Sequence, residues 1–166
     1  MLRKTNLLLA AILLVAAVLV AQVWAANELF TTTKSVLVCG PLLKDNGAAT
    51  VTYADTAGFN RATFLLAVGA TDITLDAKLT ECATSGGNYA DITGAAVTQI
   101  TALGDDKVYA IEVSMRGSRL RYLKPVITVG DGTLGANVCG VILLRGGHDS
   151  LYNAAAAGLA ELVKVE

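Results

Sequence analysis

The stretch Ile73-Thr74-Leu75-Asp76-Ala77-Lys78-Leu79-Thr80-Glu81 alternates apolar and polar side chains at every step. Successive side chains of a β-strand point to opposite faces, so a period of two predicts a strand with one face in a core and the other in solvent. It is the clearest strand pattern in the chain, and related runs lie on both sides of it.

Short runs rich in Val, Ile, Thr, Leu and Tyr recur along the chain, separated by clusters of Gly, Asp and Asn. Such spacing is typical of an all-β protein and not of alternating strands and helices. We expect an antiparallel, jelly-roll-like β-sandwich of about eight strands. The predicted strands are 36–39, 48–54, 62–68, 73–81, 89–92, 97–101, 107–114, 121–129 and 136–144.

Two segments depart from the one-sided pattern. Residues 64–68 and 141–144 are apolar at every position, which predicts central strands that are covered on both faces or packed on a neighbouring subunit. Pro125 lacks a backbone N–H, so we expect it at a sheet edge or a bulge. The clusters at 45–47, 85–88, 104–106 and 130–132 supply the Gly, Asn and Asp residues of tight turns.

The N-terminal segment has a different character. Arg3 and Lys4 precede an apolar run at 7–21, and Val23 and Ala25 occupy positions −3 and −1 of a possible signal-peptide cleavage after Ala25. Three interpretations stay open. The first is a cleaved secretory signal, the second is a membrane anchor over 7–26, and the third is an apolar helix inside a particle or a misassigned start. Residues 7–26 just reach the roughly 20 residues that a membrane span needs. We divide the chain into a hydrophobic N-terminal helix at 1–26, a β-sandwich domain at 27–149 and a C-terminal arm at 150–166.

Charge and composition exclude several functions. Thirteen Lys and Arg against fourteen Asp and Glu give a net charge of −1, without the basic surplus that holds nucleic-acid phosphates. One His leaves little material for metal or nucleophilic chemistry. Cys39, Cys82 and Cys139 lack CxxC spacing, so we expect buried thiols and leave open one disulfide of unassigned pairing. We predict no catalytic residue, no cofactor and no metal.

Patterns that resemble catalytic motifs have simpler explanations. Asp72, Asp76 and Glu81 resemble the carboxylate sets of acid–base catalysis. Asp76, however, lies on the polar face of its predicted strand, and a solvated strand face explains it fully. The run 130–135, Gly-Asp-Gly-Thr-Leu-Gly, has GxGxxG spacing but precedes a predicted strand, so it lacks the helix N-terminus that a pyrophosphate needs and is interpreted as a turn. His148, Asp149 and Ser150 are adjacent in sequence and too close to converge as a triad.

Two segments are candidates for contact with partners. Residues 116–124 concentrate basic charge, which fits either a solvated hairpin or docking on an acidic protein surface. Residues 153–163 are Ala-rich with leucines at helical spacing, which predicts a short C-terminal helix or arm without an obvious partner face on its own chain. The contact candidates are Arg116, Arg119, Arg121, Tyr122, Lys124, Tyr152, Leu159 and Leu162.

Three segments carry a resemblance to a known family: 75–82 (Leu-Asp-Ala-Lys-Leu-Thr-Glu-Cys), 87–92 (Gly-Asn-Tyr-Ala-Asp-Ile) and 119–127 (Arg-Leu-Arg-Tyr-Leu-Lys-Pro-Val-Ile). Together they resemble the head decoration, or cement, proteins of tailed bacteriophages and prophages. The resemblance implies a non-enzymatic, jelly-roll-like subunit that forms a homotrimer on the exterior of the virion. Its partners would be its own copies and the major capsid protein lattice, with no nucleic acid.

The export-like segment supports a second hypothesis, a secreted or membrane-anchored β-sandwich module that binds carbohydrate or forms extracellular filaments. Tyr53, Tyr89 and Tyr122 are then the candidates for stacking on a sugar, and residues 7–26 for membrane contact. Both hypotheses describe a protein that acts through broad surfaces.

Overall fold

The computed structural model describes residues 33–146 and 159–165. These residues form ten strands and one turn of 3₁₀ helix, Ala102–Gly104. The all-β prediction is therefore confirmed for the described part of the chain. The strands are β1 (Thr33–Lys44), β2 (Gly47–Ala48), β3 (Ala54–Asp55), β4 (Arg61–Thr71), β5 (Leu75–Cys82), β6 (Ala90–Ala96), β7 (Lys107–Ser114), β8 (Tyr122–Val129), β9 (Ala136–Arg145) and β10 (Glu161–Val165).

Two five-stranded sheets enclose the core. The first sheet has the order β1-β9-β4-β7-β10, and the second has β2-β8-β5-β6 with β3 also paired to β8. Central pairs in both sheets are antiparallel. The sandwich prediction is confirmed, with ten strands in place of about eight: β2 and β3 are separate strands of two residues each, and β10 is an additional strand.

The alternating stretch that predicts the fold forms β5. Leu75, Ala77 and Leu79 are buried in the core, and Asp76 and Lys78 lie on the outer face. The predicted central position of 64–68 is also confirmed, because β4 lies between β9 and β7. The largest fully buried apolar side chains are Phe64, Leu66, Leu75, Leu79, Ile100, Ile111, Leu123, Ile127, Ile142 and Leu144.

Two predicted strands are wrong in detail. The strand predicted at 48–54 is interrupted because the chain leaves the second sheet between β2 and β3: the Ala49 N–H donates to the Ile127 carbonyl of β8, whereas the Thr52 N–H donates to the Val38 carbonyl of β1. Residues 97–101 form no named strand, and Ile100 makes only an isolated bridge. Pro125 lies in β8 between residues 122–123, which pair with β3, and residues 128–129, which pair with β2. Neither strand pairs with Pro125, so its missing N–H is not needed on that side of β8.

The C-terminal segment also differs from its prediction. Residues 161–163, the end of the predicted helix, belong to β10, which pairs parallel with β7 and places Leu162 opposite Ala110. The backbone hydrogen bonds of this segment are satisfied by parallel pairing with a strand more than 40 positions earlier. The local spacing of leucines contains no information about such a distant partner, so it predicted a helix. The segment thus has a partner on its own chain, and the sandwich is not purely antiparallel.

The other terminal predictions fall on residues that are not described. Residues 1–32, 147–158 and 166, which include the segment predicted as a hydrophobic N-terminal helix and Tyr152, lie outside the described ranges. Among the described residues, no helix has the length and apolar character of a membrane span. The division at 27–149 and 150–166 stays a prediction.

Candidate interaction surfaces

Strand register defines two opposite ends of the sandwich. At one end, β4 finishes at Thr71 opposite Ala136, the first residue of β9, and Val68 faces Lys107, the first residue of β7. At the other end, Arg61 begins β4 opposite Ser114 and Arg145, the last residues of β7 and β9. We call the first the acidic end and the second the basic end.

The acidic end comprises the connections 45–46, 72–74, 101–106 and 130–135 and the strand residues beside them. It carries five exposed aspartates and two lysines. Its electrostatic field is therefore negative. The charged residues are Asp45, Asp72, Asp105, Asp106, Asp131, Lys44 and Lys107.

Exposed leucines accompany these carboxylates. Leu43, Leu103 and Leu134 are 63%, 83% and 70% exposed, the highest values among the exposed large apolar side chains of the described residues. Leu103 lies in the connection that leads into β7, and Leu134 in the connection that leads into β9. The acidic end therefore carries exposed leucines as well as exposed aspartates.

The connection at 130–135 is held by Asp72. Its carboxylate accepts the backbone N–H groups of Thr133, Leu134 and Gly135 at 2.9–3.0 Å. These hydrogen bonds, that of Leu134 first, lower the pKa of Asp72. The turn interpretation of the GxGxxG run is confirmed, and its N–H donors are already bound to a carboxylate of the chain.

The basic end comprises the connections 56–60, 83–89 and 115–121 and their neighbouring strand residues. Lysines and arginines outnumber carboxylates there by seven to four. The predicted basic cluster at 116–124 is part of a larger surface assembled from both sheets. Its cations are Lys34, Arg61, Arg116, Arg119, Arg121, Lys124 and Arg145, and its carboxylates are Asp55, Glu81, Asp91 and Glu112.

Two candidate arginines are held by carboxylates. Arg121 donates to both oxygens of Asp55 at 2.8 and 2.7 Å. This contact lowers the pKa of Asp55 to about 2 and raises that of Arg121. Arg119 donates to Glu81 at 3.3 Å, and the other oxygen of Glu81 accepts the Leu120 N–H. These arginines are fixed by their own chain.

Three tyrosines converge on the outer face of the second sheet at this end. Tyr53 and Tyr122 pack edge to face, with ring centroids 5.5 Å apart and an interplanar angle of 86°. Lys124 Nζ lies 5.5 Å from the centroid of Tyr89, and the Arg121 guanidinium lies 5.3 Å from that of Tyr122. Burial raises the pKa of Tyr89. The nearby Cys82, Tyr53 and Tyr122 add to that increase. We call Tyr53, Tyr89 and Tyr122 the tyrosine platform.

Buried threonines fix the strand that carries this platform. Thr56 Oγ1 donates to the Arg121 carbonyl at 2.6 Å, and Thr80 Oγ1 donates to the Lys124 carbonyl at 2.7 Å. Both threonines are nearly inaccessible to solvent. Hydroxyl groups buried in this way restrain the backbone between Arg121 and Lys124, so the platform is preorganised.

A buried carboxylate lies on the outer face of the first sheet. Glu112, whose side chain is 1% exposed, contacts Arg61 at 3.1 Å and Arg145 at 3.3 Å. Thr63 Oγ1 donates to it at 3.4 Å. Because these residues come from β7, β4 and β9, the cluster ties three neighbouring strands together.

The cysteines form no disulfide bond in the structure. Cys39 and Cys82 are buried, as expected, and Cys139 is half-buried. Burial raises the pKa of the Cys39 thiol, and the neighbouring Cys139 adds to that increase. Cys139 also lines an apolar groove of about 310 Å³ beside Pro41, Leu43 and Ala67.

The remaining candidates are dispersed. Arg116 is exposed in the connection between β7 and β8. Leu159 lines an open cleft of about 710 Å³ with Leu103 and Tyr109 near the acidic end. Leu162 lies on the outer face of β10, opposite Ala110. The structure therefore brings together Arg119, Arg121, Tyr122 and Lys124, and leaves Leu159 and Leu162 elsewhere on the sandwich.

Sequence reasoning missed the residues that hold this surface. Asp55 is 66 positions from Arg121, and Glu81 is 38 positions from Arg119. No local pattern marks either carboxylate, because each is paired by strand register. The leucines of the acidic end also share no sequence pattern, since they come from three separate connections or strand ends.

Comparison with known proteins supplies architecture only. No protein-family model and no curated protein matches the sequence. Among solved structures, the SPBc2 prophage-derived protein YomS is similar with a TM-score of 0.40 and 10% identity, over 67% of this chain and 92% of that chain. A Clostridium thermocellum xylanase 10B with CBM22-1 and GH10 modules is similar with a TM-score of 0.42 and 16% identity, over 74% of this chain and 26% of that chain.

The VP2 subviral particle of infectious bursal disease virus gives a TM-score of 0.35 and 11% identity, over 70% of this chain and 33% of that chain. The chain thus has distant structural similarity to prophage, viral capsid and carbohydrate-module β-sandwich proteins. We carry no function over from similarity of this degree.

Proposed function

We propose that the chain is a non-enzymatic virus-capsid decoration protein that binds the capsid lattice through its acidic end. The observation that carries this proposal is that Leu43, Leu103 and Leu134, the three most exposed large apolar side chains of the described residues, lie at the same end of the sandwich as five exposed aspartates. Exposed apolar groups at one end of a domain favour binding to another surface. A complementary surface on the capsid protein carries apolar and basic side chains.

The energetics suit a subunit that binds in many copies. Burial of one exposed leucine contributes about 1.5–3 kcal/mol, from which the cost of association must be subtracted. Three leucines therefore give a weak single contact. A trimer that presents three such ends to a repeating lattice binds more tightly through multivalency. Leu37, which is 57% exposed on edge strand β1, is the residue we assign to contact between copies.

The test compares incorporation into virus particles from the culture that produces the chain. We expect the intact chain in purified particles at a fixed ratio to the capsid protein, and a trimer by light scattering. The double substitution Leu103→Asp and Leu134→Asp should abolish incorporation. Leu120→Asp, a 37% exposed leucine at the basic end, is the matched control and should incorporate normally.

Two results would contradict the proposal. One is normal incorporation of the double variant. The other is a chain beginning at Ala26 or Asn27, free of particles in the culture supernatant, which would favour the exported module instead.

A further inference from the structure

The tyrosine platform has the features of a binding surface. Tyr53 is 40% exposed, and its ring lies beside that of Tyr122 on the outer face of a rigid sheet. Aromatic rings that are held by packing supply apolar contact area at low cost in conformational entropy. The neighbouring Asp55–Arg121 pair adds fixed hydrogen-bonding groups. A ligand with both apolar faces and hydroxyl groups fits this combination.

The charged side chains around the tyrosine platform limit the class of ligand that it can bind. Arg119 and Arg121 are neutralised by Glu81 and Asp55. Lys124 forms no ion pair with any carboxylate of residues 33–146 or 159–165, so its charge is available beside the ring of Tyr89. Lys34 adds a second positive charge near Asp55. The platform is therefore a positive surface on a chain whose net charge is −1.

We propose that the tyrosine platform binds an acidic polysaccharide. A sugar ring stacks on the exposed ring of Tyr53, against which Tyr122 packs edge to face, and the carboxylate of a uronic acid pairs with Lys124. A single-stranded nucleic acid also combines rings with a charge on every unit, and the experiment below distinguishes it from a polysaccharide. The site does not depend on the proposed lattice contact, since it lies at the end of the sandwich opposite the exposed leucines.

Binding is tested with the isolated full-length chain by affinity electrophoresis and calorimetry. The probes are polygalacturonate, alginate and hyaluronan. Methyl-esterified polygalacturonate keeps the sugar ring and removes the charge, whereas polyglutamate keeps the charge and removes the ring. Single-stranded DNA tests the nucleic-acid alternative. We expect binding to at least one acidic polysaccharide, weaker binding to the ester, and none to polyglutamate.

The variants separate stacking from charge. Tyr53→Ala should weaken binding roughly 3- to 10-fold, the range for loss of one aromatic contact. Lys124→Gln should weaken it about two- to fivefold and reduce its dependence on salt. Lys107→Gln, at an exposed position of the acidic end, is the matched control and should bind as the parent chain does. Unfolding midpoints of all variants confirm that they are folded.

Several outcomes would overturn the proposal. These are absence of binding to all three acidic polysaccharides, equal binding of the ester or of polyglutamate, tighter binding of DNA, or unchanged affinity in a folded Tyr53→Ala variant. Failure to bind capsids with normal polysaccharide binding would instead contradict only the decoration function.

Discussion

Replacement of Glu112 by glutamine should destabilise the fold more than its hydrogen-bond lengths suggest. The carboxylate is 1% exposed and lies 3.1 Å from Arg61 and 3.3 Å from Arg145, whose side chains are 16% and 26% exposed. A hydrogen bond to a charged group contributes about 1.5–3 kcal/mol. Glutamine keeps one neutral acceptor in the same volume, so part of this contribution remains.

We expect Glu112→Gln to lower the free energy of unfolding by about 2–3 kcal/mol. Glu112→Ala should lower it by about 3–5 kcal/mol, because it removes a buried carboxylate that contacts two arginines. Both values are a large share of the stability of a domain of this size.

The matched control is Asp91→Asn. Asp91 lies only 2.7 Å from Lys78, but the two side chains are 63% and 42% exposed. An exposed ion pair contributes about 0–1 kcal/mol, so the shorter contact should matter less than the longer, buried ones. Burial and not distance therefore decides the order of the two effects.

The assay is guanidinium denaturation followed by far-ultraviolet circular dichroism, with the slope of the transition compared among variants. If Asp91→Asn destabilises the chain as much as Glu112→Gln does, at equal slopes, the reasoning from burial is wrong.

Three further predictions concern other parts of the sandwich. Gly135→Ala should lower the free energy of unfolding by at least about 1–2 kcal/mol, because Gly135 has a φ of 78° and the added methyl group would meet the backbone carbonyl of Lys44. Thermal unfolding of the variant and the parent chain measures this difference. The stabilisation from the Asp55–Arg121 contact should be fully present above pH 4, about the pKa of an aspartate in the unfolded chain, and should be lost as the pH falls through about 2, the pKa of Asp55 in the folded chain. NMR titration measures this pKa, and an ordinary value for Asp55 would contradict the observed contact. At pH 8, iodoacetamide should modify Cys139 before Cys39, whose pKa is raised by burial; peptide mass spectrometry that finds the reverse order would disprove the assignment.

Much of the fold could be predicted from local pattern. β7 has the predicted bounds, and β5, β8 and β9 differ from them by one or two residues. Each has a period of two or a continuous apolar run that one-sided or two-sided burial imposes. β2 and β3 could not be predicted as separate strands, because the break between them comes from hydrogen bonds to two different sheets.

The candidate surface was only partly predictable. The sequence indicates Arg119, Arg121, Tyr122 and Lys124 because they are close together along one segment. Tyr53 and Tyr89 were candidates by residue type alone, and their convergence on Tyr122 depends on the pairing of β3, β5 and β8.

Local sequence is sufficient to establish that the chain is all-β, which strands form its centre and where its turns fall, because these depend on the alternation of neighbouring side chains. The packing of the two sheets adds β10 to the first sheet, places leucines from three distant segments at the acidic end, and places arginines and tyrosines at the other end. Those features follow from register between strands far apart in sequence, and register is set by the packing of the whole core.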